Sequence, residues 1–117
     1  MRLDGRVNEL EERFKRQARN EALFREVNER IAELNQTFHI EGRSEFLCEC
    51  SREECKDPVS ISIDEYEAVR SASTRFFVIP GHEDNEVERV VERTDRYLVV
   101  EKIGDAAEEA DDLDPRS

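Results

Sequence analysis

All three cysteines of this 117-residue chain fall within eight positions, in the stretch Phe46-Leu-Cys48-Glu-Cys50-Ser-Arg-Glu-Glu-Cys55. No other feature restricts the fold as much. Cys48 and Cys50 stand at i and i+2, so in a strand both thiols leave the same face. Cys55 follows after four intervening residues, enough for a loop to return to the first two. An odd number of thiols fits a disulfide framework poorly. In a reducing compartment a tight cysteine cluster reads first as metal-binding or redox-active. Thiolates at this spacing suit a tetrahedral zinc site better than hard cations such as calcium or magnesium.

The set needs a fourth ligand, and the chain has two histidines. His82 follows Pro80-Gly81 at the end of an apolar run, where a sharp turn can aim an imidazole, and is the expected ligand. His39, in the connector before the cysteines, is the alternative, and a carboxylate or water is the third choice. Two competing readings dispense with the metal. One is a buried thiol cluster. The other is a Cys48–Cys50 redox pair resolved by Cys55. Catalysis at the metal is not expected. Glu83 beside His82 and Glu49 between the cysteines lack the HExxH spacing, and the deaminase pattern with a later PCxxC is absent.

Residues 5–36 form one long helical pattern. Leu3, Val7, Leu10 and Phe14 recur at alternating fours and threes, and Phe24, Val27, Ile31 and Leu34 repeat the theme. Glu–Arg or Glu–Lys pairs four apart, such as Glu9–Arg13 and Glu26–Arg30, reinforce the exposed surface by ~0.2–0.5 kcal/mol each. Thirty residues span roughly 45 Å, longer than the remaining domain is wide. The segment 20–36 is therefore expected to pack on the domain and 3–19 to project. Leu3, Val7, Leu10 and Phe14 would then meet a protein partner or a second copy of the chain.

Beyond the helix, "FLCEC" and "VSISI" alternate as short strands. Ser62 and Glu65 have capping-box spacing at the head of a helix that turns Tyr66 and Val69 inward. "RFFVIPGH" is a strand stopped by Pro80-Gly81, and residues 87–102 read as a β-hairpin about Thr94-Asp95-Arg96. The order α-β-β-α-β-β-β defines an α+β fold, a small antiparallel sheet with helices on one face. Three parts follow: the long helix at 1–36, a metal-stapled domain at 37–103, and an acidic tail at 104–117 that is expected to be disordered. About 65 residues of folded domain are marginal without a staple, which a metal supplies.

Charge narrows the partners. The chain carries 30 acidic and 18 basic residues, net −12. Residues 1–38 are balanced, with eight of each sign, so the whole excess lies beyond the helix. Direct nucleic-acid binding and docking on anionic membranes both need clustered cations and are disfavoured. No run approaches transmembrane length and no apolar leader is visible, so a cytoplasmic protein is expected. Arg70, Arg75, Arg89, Arg93 and Arg96 could gather into an anion site, but neighbouring carboxylates are better placed to pair with them. Glu88, Glu92 and Glu101 are expected on the outer face of the hairpin.

The segments "NEALFREVNERIAELN", "FLCECSREEC", "SISIDEYEAVRSASTRFFVIPGHE" and "VERVVERTDRYLVVEK" together resemble a group of small acidic actinobacterial proteins with a CxCx4C…EYExVR…PGH pattern. The resemblance spans about residues 20–103. It implies that Cys48, Cys50, Cys55 and His82 act as one set, and it implies no activity. The function expected is a non-enzymatic, zinc-stabilised interaction or regulatory module working through its long helix and acidic surface. A zinc- or redox-responsive regulator using Cys48, Cys50 and Cys55 is the alternative, and a small metal-dependent hydrolase is the third.

Overall fold

The computed structural model describes residues 5–116 apart from 53 and 56, with side chains from residue 12 onward. Helix α1 runs unbroken over Gly5–Thr37. Strands β1 (Arg43–Leu47) and β2 (Pro58–Ser62) form an antiparallel pair, with Phe46 opposite Val59 and Ser44 opposite Ile61. Helix α2 covers Ile63–Val69, followed by β3 (Arg75–Val78), β4 (Glu88–Arg93) and β5 (Leu98–Lys102). These three strands make a second antiparallel sheet in the order β3-β5-β4. The fold is α+β in the expected order, but the strands divide between two sheets, and a third helix, α3 (Gly104–Asp112), closes the chain. The molecule measures 59 × 27 × 24 Å; a 33-residue helix of roughly 50 Å accounts for the long axis.

Local chemistry explains most boundaries. The Ser62 hydroxyl accepts from Glu65 N–H and the Glu65 carboxylate accepts from Ser62 N–H, the reciprocal box that starts α2. Tyr66 and Val69 are buried, as their spacing requires. In the β4–β5 hairpin the Thr94 hydroxyl accepts from Arg96 N–H and Tyr97 N–H, so a hydroxyl does the work a glycine would do in a tighter turn. A bulge between Val90 and Glu92 interrupts β4 at this sheet edge. The core stacks Phe46 on Tyr66 with ring centroids 4.8 Å apart, and Phe77 meets both edge-on.

Three expectations are corrected. Residues 104–112 are helical, and the segment beyond is tied down: Arg70 donates to Asp114, and Arg116 pairs with Glu29 and Glu67. The acidic composition concealed this because each of these pairs joins residues far apart in the chain. Glu88 is buried against Lys102, together with Glu21 from α1, and does not lie on the outer face of the hairpin. Finally, α1 does pack on the domain through its second half, but with only half of the apolar stripe, Phe24 and the partly buried Ile31. Its buried face carries Glu21, Phe24, Arg25, Asn28, Ala32 and Asn35, whereas Val27 and Leu34 are exposed. The end of β1 offers unpaired backbone groups at Leu47, and the Asn28 side chain on α1 satisfies them. Asn28 bridges Leu47 through both its oxygen and its nitrogen, and the Ser44 hydroxyl donates to Asn35.

Candidate metal centre

β1 ends at Leu47, so the cysteines lie just past the strand rather than inside it. The chain stays extended there because its next two backbone N–H groups find acceptors. Cys48 N–H donates to Asp57 C=O at 3.0 Å, and Glu49 N–H donates to Phe77 C=O at 3.0 Å. The second bond joins the two sheets. Alternation then sends Cys48 and Cys50 to one side and Glu49 to the other.

Both sides are buried but chemically opposite. Glu49 is fully enclosed; it accepts from Asn28 Nδ2 at 3.0 Å and lies 3.6 Å from the equally enclosed Arg25 guanidinium. Arg25 stacks on the Phe76 ring, 3.6 Å from its centroid, and donates to Ser73 C=O. Burial pushes the Glu49 carboxyl up and the Arg25 guanidinium down, and each opposes the shift of the other. The pair fastens α1 to the cysteine segment from behind.

On the other side, Cys48, Cys50, Cys55 and His82 bring their ligand atoms within 4.8 Å of one another. Cys55 arrives through a short loop closed by its N–H donating to Arg52 C=O. His82 arrives through a type II turn. Ile79 C=O accepts from His82 N–H at 2.9 Å, Pro80 takes the second position, and Gly81 takes the third with φ +96°, a left-handed value that favours glycine. His82 Nδ1 then lies 3.7 Å from Cys48 Sγ and 3.5 Å from Cys55 Sγ. Ile79 N–H donates to Cys48 Sγ at 3.2 Å, a bond that favours the thiolate. The three sulfurs are buried and the imidazole is half-buried.

Packed so closely, the thiols do not ionise independently. The Cys48 thiol, hydrogen-bonded to Cys50 and desolvated, is pushed well above the ordinary thiol range. Cys50 is pulled down to about 5, chiefly by that same hydrogen bond. Burial pushes Cys55 up. A bound divalent ion overrides this competition by deprotonating every thiol it coordinates. The cluster is a buried three-sulfur, one-nitrogen donor set, with the composition and enclosure of a metal site. His39, the alternative ligand, is exposed at the end of α1 with φ 52° and stays outside the cluster.

Of the residues expected to meet a partner, Leu3, Val7 and Leu10 lie outside the described side chains. Phe14 is half-buried and borders a cleft of about 600 Å³ between α1 and α3, with Arg25, Phe76 and Lys102 among its walls. In that cleft Lys102 faces both Glu21 and Glu88. Burial pulls its ammonium down, but the two carboxylates outweigh that effect and hold it above its usual value. Glu21, left sharing one cation, is raised to about 7, mainly by burial. Among the described residues, four of the five candidate anion-site arginines pair with carboxylates: Arg70 with Asp114 and Glu29, Arg75 and Arg89 with Glu101, and Arg96 with Glu65.

Sequence reasoning weighed Glu49 only as a catalytic carboxylate and overlooked its partners Asn28 and Arg25. A signal was present. Positions 21, 25, 28, 32 and 35 keep helical spacing on one face, and four of the five are polar.

No family model, curated protein or solved structure matches this chain. No helix among the described residues is long and apolar enough to cross a membrane. The chain is an α+β fold that holds a Cys3His cluster at the junction of its two sheets.

Proposed function

We propose that this chain is a non-enzymatic, zinc-stabilised interaction module. One zinc ion held by Cys48, Cys50, Cys55 and His82 closes its fold, and its long helix and acidic surface are offered to protein partners in the cytoplasm. The observation that carries the zinc assignment is the sulfur–nitrogen spacing. Bonds of about 2.3 Å to sulfur and 2.0–2.1 Å to nitrogen, at tetrahedral angles, put S and N about 3.5–3.6 Å apart. His82 Nδ1 lies 3.5 and 3.7 Å from two of the sulfurs. One such distance also suits an N–H···S hydrogen bond, but two at once, with the third sulfur in the same cluster, match the vertices of one tetrahedron. The same four positions are those singled out by the resemblance to the small acidic actinobacterial group.

Four protein ligands occupy every position of a tetrahedral ion, so no vertex remains for a substrate water. This favours a structural ion over the hydrolase reading. The redox reading needs thiols that an oxidant can reach, and Cys48 and Cys50 are no more than 1% exposed. The ion would join the end of β1, the loop before β2 and the turn after β3, adding to the backbone bonds that already link them.

The test is metal analysis of protein purified without added zinc, with Cys48→Ser alongside. One zinc per chain, lost together with cooperative unfolding in the variant, is the expected result. A metal-free protein that melts cooperatively and forms a reversible Cys48–Cys50 disulfide would exclude this function.

A further inference from the structure

Packing α1 through a largely polar face, with Phe24 and Ile31 turned inward, leaves a second set of apolar side chains facing outward. Leu23 is 56%, Val27 38% and Leu34 56% exposed. At about 100° per residue the three fall within one narrow sector of the helix, opposite Arg25 and Asn28. Phe38, 69% exposed, prolongs the stripe past the end of the helix. Beside Leu23 the surface is dented. Arg19, Ala22, Leu23 and Glu26 surround a shallow depression, and Leu113 and Pro115 form its far wall. Positions i, i+3, i+4 and i+7 are the four that form the hole for a side-chain knob from a facing helix.

We propose that a second copy of this chain docks on this face, the two α1 helices antiparallel about a two-fold axis, with the partner's Leu34 seated in the depression beside Leu23. The proposal rests on the reading of α1 as an interaction element and specifies its occupant. Charge selects that occupant. The eight acidic and eight basic residues of 1–38 cancel, while the rest of the chain carries the full −12. Two copies repel least when they meet along α1, and a strongly basic partner would be drawn to the domain instead. The register is also self-complementary. Placing Leu34 over positions 22 and 23 makes facing residue numbers sum to about 57, and the axis repeats every contact. Leu23 then meets the partner's Leu34, and Glu26 approaches the partner's Arg30. The apolar surface involved is on the order of a few hundred Å² per copy, at the low end for a specific interface, so association should be reversible and concentration-dependent.

Sedimentation equilibrium of the metal-loaded full chain over a micromolar dilution series tests this. The expected result is a monomer–dimer equilibrium that strengthens with added salt, because screening relieves the repulsion between two domains of like charge. Leu34→Glu should weaken dimerisation at least about tenfold, a change of about 1.4 kcal/mol. Glu26→Arg should weaken it, and Glu26→Arg combined with Arg30→Glu should restore it. Melting midpoints confirm that these exposed substitutions leave the fold intact. A monomer at every concentration and salt, or a dimer indifferent to Leu34→Glu and to the charge swap, would overturn the proposal, as would a different protein captured on this face by a monomeric chain. Zinc content is measured on the same samples. A zinc-loaded monomer refutes the dimer alone, and a zinc-free dimer refutes the staple alone.

Discussion

Removing the amide of Asn28 should cost more stability than any equally small change on α1. Its side chain is fully buried and makes three bonds to the segment that carries the cysteines. Nδ2 donates to Leu47 C=O at 2.9 Å and to Glu49 at 3.0 Å, and Oδ1 accepts from Leu47 N–H at 2.8 Å. Asn28→Ala leaves two backbone groups and one carboxylate oxygen short of a partner in a site closed to water. An unsatisfied buried group costs about 1–3 kcal/mol, and partial relaxation brings the sum to about 3–5 kcal/mol. That is a large share of the ~5–15 kcal/mol that stabilises an ordinary domain. Asn28→Asp keeps the size and the acceptor for Leu47 but loses both donations and sets a second carboxylate beside Glu49, so it should be at least as damaging. Urea unfolding of zinc-saturated protein measures both. Because the anchor positions Cys48 and Cys50, zinc affinity should fall with stability. If Asn28→Ala loses less than about 1 kcal/mol with unchanged zinc affinity, the backing of the site by α1 is not what holds it.

Three further outcomes follow from named contacts. Glu21 is protonated more readily in the folded protein, raised from 4.5 to about 7, mainly by burial, so folding takes up a proton in that window. Its contribution is greatest below the unfolded value and declines as pH rises toward about 7, with a slope of up to about 1.4 kcal/mol per unit. Glu21→Gln should flatten that part of a stability–pH profile, and an unchanged profile counts against the buried Glu21–Lys102–Glu88 cluster. Gly81→Ala meets no steric obstacle but must hold φ +96°, so it should cost about 1 kcal/mol or more and weaken zinc binding by turning His82, read by chelator competition. Truncation after Ile103 removes Asp114 from the buried Arg70, whose side chain is 0% exposed, and should cost about 2–4 kcal/mol in thermal or urea unfolding. A merely solvated tail would change stability by less than about 0.5 kcal/mol.

Much of this fold can be read from local chemistry. Strand alternation in "VSISI", the Ser62–Glu65 box and the turn at Pro80-Gly81 each depend on residues near one another in the chain, and each has its expected form. The metal cluster was legible for the same reason on its cysteine side, and His82 through its position after a turn. The misreadings share one physical cause. α1 was expected to bury what is apolar, yet Asn28 and Arg25 are enclosed because the cysteine segment presents backbone groups and a carboxylate that need partners. Val27 and Leu34 are left outside. The carboxy-terminal segment was misjudged because Arg70 and Glu29, which hold it, stand far from it in sequence.

The proposed staple requires three sulfurs and one imidazole nitrogen to share a single ion. Zinc K-edge X-ray absorption of the purified protein reads that directly. It should resolve three sulfurs near 2.3 Å and one nitrogen near 2.0–2.1 Å, with His82→Ala replacing the nitrogen scatterer by oxygen or losing the ion. A shell with fewer than three sulfurs, a coordinated water in the unaltered protein, or a spectrum indifferent to His82→Ala would contradict it.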